Sequence, residues 1–142
     1  MTTCIFYIDE AGSRDRYSIP IQPDRGETAI CCLFGLALPL IHWRDIDRDY
    51  LRLKLQFFSS EISTSGRRPE HWEIKGNDLC SPRNRERHRR HAFLREVFHL
   101  CERYEARAFA VTFLKNRVSP MSAEACYCMA LQFLAERFNI FL

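Results

Sequence analysis

Apolar residues in this chain fall into separate runs whose spacing predicts a definite order of elements. Thr2 to Ile8 is a continuous β-branched and aromatic stretch that stops at Asp9-Glu10 and the small residues Ala11-Gly12-Ser13. Such a run reads as a buried strand closed by a turn. Thr28 to Leu38 reads the same way, with Pro39 as its stop. The polar segment Ser13 to Glu27 between them, holding Pro20, Pro23 and Gly26, reads as a long loop, so the two strands are expected to pair antiparallel as a wide hairpin. From Ile41 to about Ile62 apolar side chains recur at three- and four-residue spacing, the signature of an amphipathic helix. Ser63 to Pro69 breaks the pattern. Glu70 to Lys75 reads as a short third strand ended by Gly76-Asn77, and a second long helix is expected from Pro82 to Tyr104. Ala106 to Leu114 is a further apolar strand. Ser119, followed by Pro120, is the expected cap of a last helix that continues to Leu142. The order β-β-α-β-α-β-α predicts an α/β domain with a mixed sheet flanked by helices.

Side chains alternate faces along a strand. His71, Glu73 and Lys75 should therefore share one face of the third strand, with Trp72 and Ile74 on the other. An exposed edge strand with a polar outer face explains that pattern equally well. In the first strand Asp9 falls on the side of Ile5 and Tyr7, and Glu10 on the side of Phe6 and Ile8. Regular geometry thus lets only one of the two acids face a given site. Carboxylates at the exit of a buried strand are costly to desolvate unless a cation such as a divalent metal sits beside them. The alternative is a solvated strand end, with Asp9 capping the turn.

A chain of 142 residues is most simply one domain, 1–142, with room for a real core. The formal charge of +3 does not by itself announce a nucleic-acid partner, but its distribution is uneven. Arg83, Arg85, Arg87, Arg89, Arg90 and Arg95 crowd the first half of the second long helix, together with His88 and His91. Arginine at that density suits a phosphate backbone, although charge runs commonly form a solvated face. Seven cysteines without a CxxC pair, no signal peptide and no run long enough to span a membrane give a cytoplasmic protein with free thiols and no membrane partner. Cys126 and Cys128 have no matching pair for a zinc site, and no cysteine has a histidine partner at a nucleophile motif.

The series of strand motifs is similar to that of a known family. Ile8-Asp9-Glu10-Ala11-Gly12 resembles the "DESG" motif of an uncharacterised bacterial and phage family, domain of unknown function 3800. The end of the second strand, Leu33 to Leu38, resembles its "LGG" strand, and Glu73-Ile74-Lys75-Gly76 its "E-[IL]-K-G" strand. Phe109 to Lys115 resembles the strand that ends in lysine before the next helix. The resemblance covers nearly the whole chain in order, and its specificity lies in the series of short motifs. It implies a ribonuclease H-like fold that hydrolyses phosphodiesters with Mg²⁺ or Mn²⁺. On that basis Asp9 and Glu73 are the expected metal ligands and catalytic residues, with Glu10 as a supporting acid. Lys75, Arg83, Arg87, Arg89 and Arg90 are the expected contacts to nucleic acid.

In the family, a further strand bearing an aspartate and a C-terminal helix with another acid follow the helix that matches Met121 to Leu142. The chain is therefore expected to be incomplete at its C-terminus. Two Mg²⁺ ions about 4 Å apart need several carboxylates to offset their charge. Asp9 and Glu73 alone predict a weak or inactive nuclease. A non-catalytic nucleic-acid-binding or protein-interaction module is the alternative.

Overall fold

The computed structural model describes residues 3–12, 30–81, 86–114 and 122–142. Its elements are β1 (Cys4–Gly12), β2 (Ile30–Pro39), α1 (Trp43–Ser65), α2 (Gly76–Cys80), α3 (Arg87–Arg103), β3 (Arg107–Leu114) and α4 (Ala123–Phe141), with short 3-10 turns at Leu40–His42 and Pro69–His71. The class is mixed α/β, and the chain divides into two compact units, one of Met1–Leu38 with Arg107–Leu142, the other of Pro39–Ala106. The expected loop from Ser13 to Glu27 lies outside the described residues.

The first unit is a three-stranded antiparallel sheet in the order β1-β2-β3, carrying α4. β2 pairs with β3 from Ile30 opposite Leu114 to Ala37 opposite Arg107. One face of the sheet packs on the helix: Leu33, Ala130 and Leu134 are buried, and Phe6, Phe109, Val111 and Phe113 close around them. The fit is tight at Gly35, where an added Cβ would lie 2.3 Å from Cζ of Phe6 and 3.2 Å from Leu134. The Phe6 ring in turn stacks on Phe138, with centroids 4.2 Å apart. Ser122 rather than Ser119 caps α4, because Ser122 is extended and its hydroxyl accepts from the backbone N–H of Ala125 at 3.1 Å. Residues 115–121, including Ser119 and Pro120, lie outside the described residues.

The second unit is helical. Phe58, Ile62, Leu79 and Phe93 form its core, with Leu53, Phe57, Trp72, Ile74, Leu94 and Val97 packed against them. α1 is kinked at Phe58, whose backbone leaves helical geometry while its ring is fully buried against Phe93 and Trp72. Gly66, at φ 66°, ends α1 in the left-handed conformation that glycine adopts without steric cost.

The expected third strand is not formed. Pro69 starts a 3-10 turn through His71, and residues 72–75, extended at Trp72 and at Lys75, enter no ladder among the described residues. The alternation foreseen for that segment does hold: Trp72 and Ile74 face the helical core, while His71, Glu73 and Lys75 are exposed. Packing against α1 and α3 thus supplies the periodicity that otherwise signals a sheet. The expected order β-β-α-β-α-β-α becomes β-β-α-α-α-β-α, with the short α2 following this segment. No helix among the described residues is long and apolar enough to cross a membrane.

Candidate functional site

The residues singled out in the sequence fall in both units. Asp9 is exposed on β1. Strand alternation sets it on the face opposite Phe6, away from α4, and sets Glu10 on the α4 side. Glu10 is half-buried and engaged. Glu73 and Lys75 are exposed in the second unit, on the segment before α2. Arg83 lies outside the described residues. Among the described residues no three His, Cys, Asp or Glu side chains gather as a metal-ligand set. All seven cysteines are free thiols, and Cys126 is buried while Cys128 is exposed.

The arginines of α3 separate into two groups. Arg89 points inward: its guanidinium pairs with Glu61 of α1 and with Glu86, and lies 5.2 Å from the ring centre of Phe58. Arg90 donates to the backbone carbonyl of Asp78 at 2.8 Å, which ties α3 to α2. Both are half-buried. Arg87, His88, His91, Arg95, His99 and Phe98 are exposed. At 3.6 residues per turn these six fall within an arc of about 120°. Phe98 is 69% exposed, far more than a core aromatic on a helix of this kind. Glu102 shares the arc and lies 3.6 Å from His99.

Two further groups in the second unit were not visible in the sequence. Asp49 accepts from Tyr104 at 2.8 Å and from Arg52 at 3.0 Å, with Arg48 and Arg103 at 3.6 and 3.8 Å. The Tyr104 hydrogen bond, aided by Arg48 and Arg52, holds the Asp49 carboxyl below its ordinary range. The second group centres on Lys54, a buried charged residue at 6% exposure. Its Nζ stands 5.6 Å from the ring centre of Tyr50. Asp47, Tyr50, Leu51, Lys54 and Glu70 line a cavity of about 130 Å³. Burial pushes the Lys54 ammonium down from the ordinary lysine value, and the fields of Glu70, Glu73 and Asp47 only partly offset that push. The one sequence signal for this site is spacing, since Tyr50, Lys54 and Phe58 follow each other at i, i+4 and i+8, where an inward apolar residue is expected.

Comparison with protein-family models, with curated proteins and with solved structures gives no match to this chain.

Proposed function

We propose that this chain is a non-catalytic nucleic-acid-binding module that holds a phosphate backbone on the outer face of α3. The observation that carries this reading is the combination, on one arc, of Arg87, Arg95 and three exposed histidines with the solvent-facing ring of Phe98. Cationic groups along one face follow a backbone, and an exposed aromatic ring among them offers a base a surface to stack on. The inward arginines Arg89 and Arg90 serve the fold, so the contacts to nucleic acid are Arg87 and Arg95, with Lys75 as a further exposed cation on the segment before α2. The resemblance of the strand motifs to a family of phosphodiester-cleaving type supports the same ligand class.

A second reading, hydrolysis at Asp9 and Glu73 with Mg²⁺ or Mn²⁺ on a ribonuclease H-like plan, is supported by one observation: Asp9 stands exposed on β1, at the edge of the described sheet, with no ion-pair partner among the described residues. The described residues offer no assembled ligand set for such an ion.

Fluorescence anisotropy with labelled oligonucleotides separates these readings. Phe98→Ala is expected to weaken binding to a single strand by about 1–3 kcal/mol, the worth of one stacked base, and to affect a duplex much less. Equal affinity of the parent and Phe98→Ala for single strands would remove the stacking surface. Mn²⁺-dependent cleavage of the oligonucleotide, lost in Asp9→Asn, would replace the non-catalytic reading with the hydrolytic one.

A further inference from the structure

We propose that Lys54 is a nucleophilic amine in a small pocket that captures neutral aldehydes as a Schiff base. A lysine on an inward position of a helix is out of place by burial alone, since an ammonium kept from water is stable only with compensation. Here the compensation is partial. The Tyr50 ring lies below the amine at 5.6 Å, and the acidic groups Glu70, Glu73 and Asp47 act on it from the flanking segment and from its own helix. The amine is buried, a ring lies beneath it, and a cavity of about 130 Å³ opens beside it. A buried amine next to an open space is the arrangement that gives a lysine its reactivity toward carbonyl carbon.

The step balances without a co-reactant. Lys54 Nζ first gives up its ammonium proton, with the Glu70 carboxylate on the cavity wall as acceptor. The nitrogen lone pair then forms the C–N bond, and the carbonyl π pair moves to oxygen, which takes a proton. The now cationic nitrogen gives one of its two protons to the Glu70 carboxylate and regains its lone pair. The carbinolamine loses its hydroxyl as water after a second proton arrives at that oxygen. The nitrogen keeps one proton, and a protonated imine remains. Glu70 is placed to pass these protons, because it lines the same cavity as the amine.

The electrostatics select the substrate. Asp47 and Glu70 line the cavity and Glu73 acts on the same amine, so an anionic keto acid meets three carboxylates, whereas a neutral aldehyde does not. The volume admits a carbonyl compound of a few carbon atoms. This inference concerns α1 and the 70–73 segment and stands apart from the outer face of α3.

The test uses the whole chain, propanal and sodium cyanoborohydride, with peptide mass spectrometry to read each lysine. The sequence holds only three, Lys54, Lys75 and Lys115, so exposed Lys75 is an internal reference. At neutral pH, Lys54 is expected to acquire the propyl label faster than Lys75, because burial weakens the hold of the Lys54 nitrogen on its proton. Pyruvate in place of propanal should label Lys54 no faster than Lys75. Glu70→Gln, which keeps the shape of the wall, should slow propanal labelling of Lys54 and raise pyruvate labelling relative to propanal. Labelling of Lys54 slower than that of Lys75 in the folded chain, or rapid labelling of Lys54 only after addition of urea, would overturn the proposal. Circular dichroism of Glu70→Gln identifies a variant that fails to fold, and the comparison of Lys54 with Lys75 in the parent chain decides the matter without any variant.

Discussion

The guanidinium of Arg89 lies 5.2 Å from the ring centre of Phe58, a residue with no exposed surface, while the same guanidinium pairs with Glu61. One arginine of a basic run is thereby committed to the contact between α1 and α3. Its neighbour Arg87 is exposed. Arg89→Ala is expected to cost about 1–2 kcal/mol, from the lost ring contact and ion pairs on a half-buried side chain. Arg87→Ala should stay within about 0.5 kcal/mol of the parent. Urea unfolding of the two variants checks this, and equal stabilities would show that Arg89 is as dispensable to the fold as Arg87.

Gly35 makes the corresponding claim for the first unit. A methyl group there would meet the Phe6 ring at 2.3 and 2.5 Å, with that ring already stacked on Phe138. Gly35→Ala is expected to destabilise by about 1–3 kcal/mol through overpacking. Phe6→Leu should recover part of that loss when combined with it, giving a coupling energy of the sign found for residues in contact. Strictly additive effects in thermal unfolding would mean the ring can move aside freely.

How much of this was legible in the sequence varied with the kind of signal. The first two strands and the helix through Trp43 and Phe58 follow from continuous or regularly spaced apolar residues, although β1 runs on through Asp9 and Glu10 to Gly12 instead of stopping at the acids, since backbone pairing continues past the last apolar side chain. The segment around Glu73 shows the limit. Trp72 and Ile74 are inward and Glu73 outward, as alternation requires, yet no strand forms, because the inward residues pack on helices instead of taking a place in a ladder. Alternation reports which side is buried, and pairing depends on partners far away in the chain. The basic run similarly gave the charge without its direction: the turn of α3 sends Arg89 inward and Arg95 outward. Lys54 was hidden because a lysine among apolar residues reads as a solvated interruption, and only the packed helix shows its burial.

The ion pairs carry a pH dependence of fixed sign. At Glu61, burial pushes the carboxyl up, but the Arg89 hydrogen bond and charge outweigh it and leave the group below its ordinary value of 4.5. Asp49 is held below 3.8, first by Tyr104. Both groups bind protons more readily in the unfolded chain, so stability rises with pH in this range. Their contribution is fully present above the ordinary carboxylate values and is lost as pH falls through the lowered folded ones. Arg89→Ala and Tyr104→Phe should therefore weaken the acid dependence of stability, each removing part of the slope below pH about 4.5. Urea midpoints measured from neutral to acid pH check this, and variants that keep the full slope of the parent would contradict the assignment.

The outward arginines are tested most directly by salt. Affinity for a single-stranded oligonucleotide, measured from low to physiological salt, gives a slope that counts the phosphates neutralised. Replacing both Arg87 and Arg95 with alanine is expected to flatten that slope by about 1.4, or roughly 0.7 for each contact removed, and to weaken all sequences about equally. A slope and affinity unchanged from the parent chain would contradict a phosphate backbone on the outer face of α3.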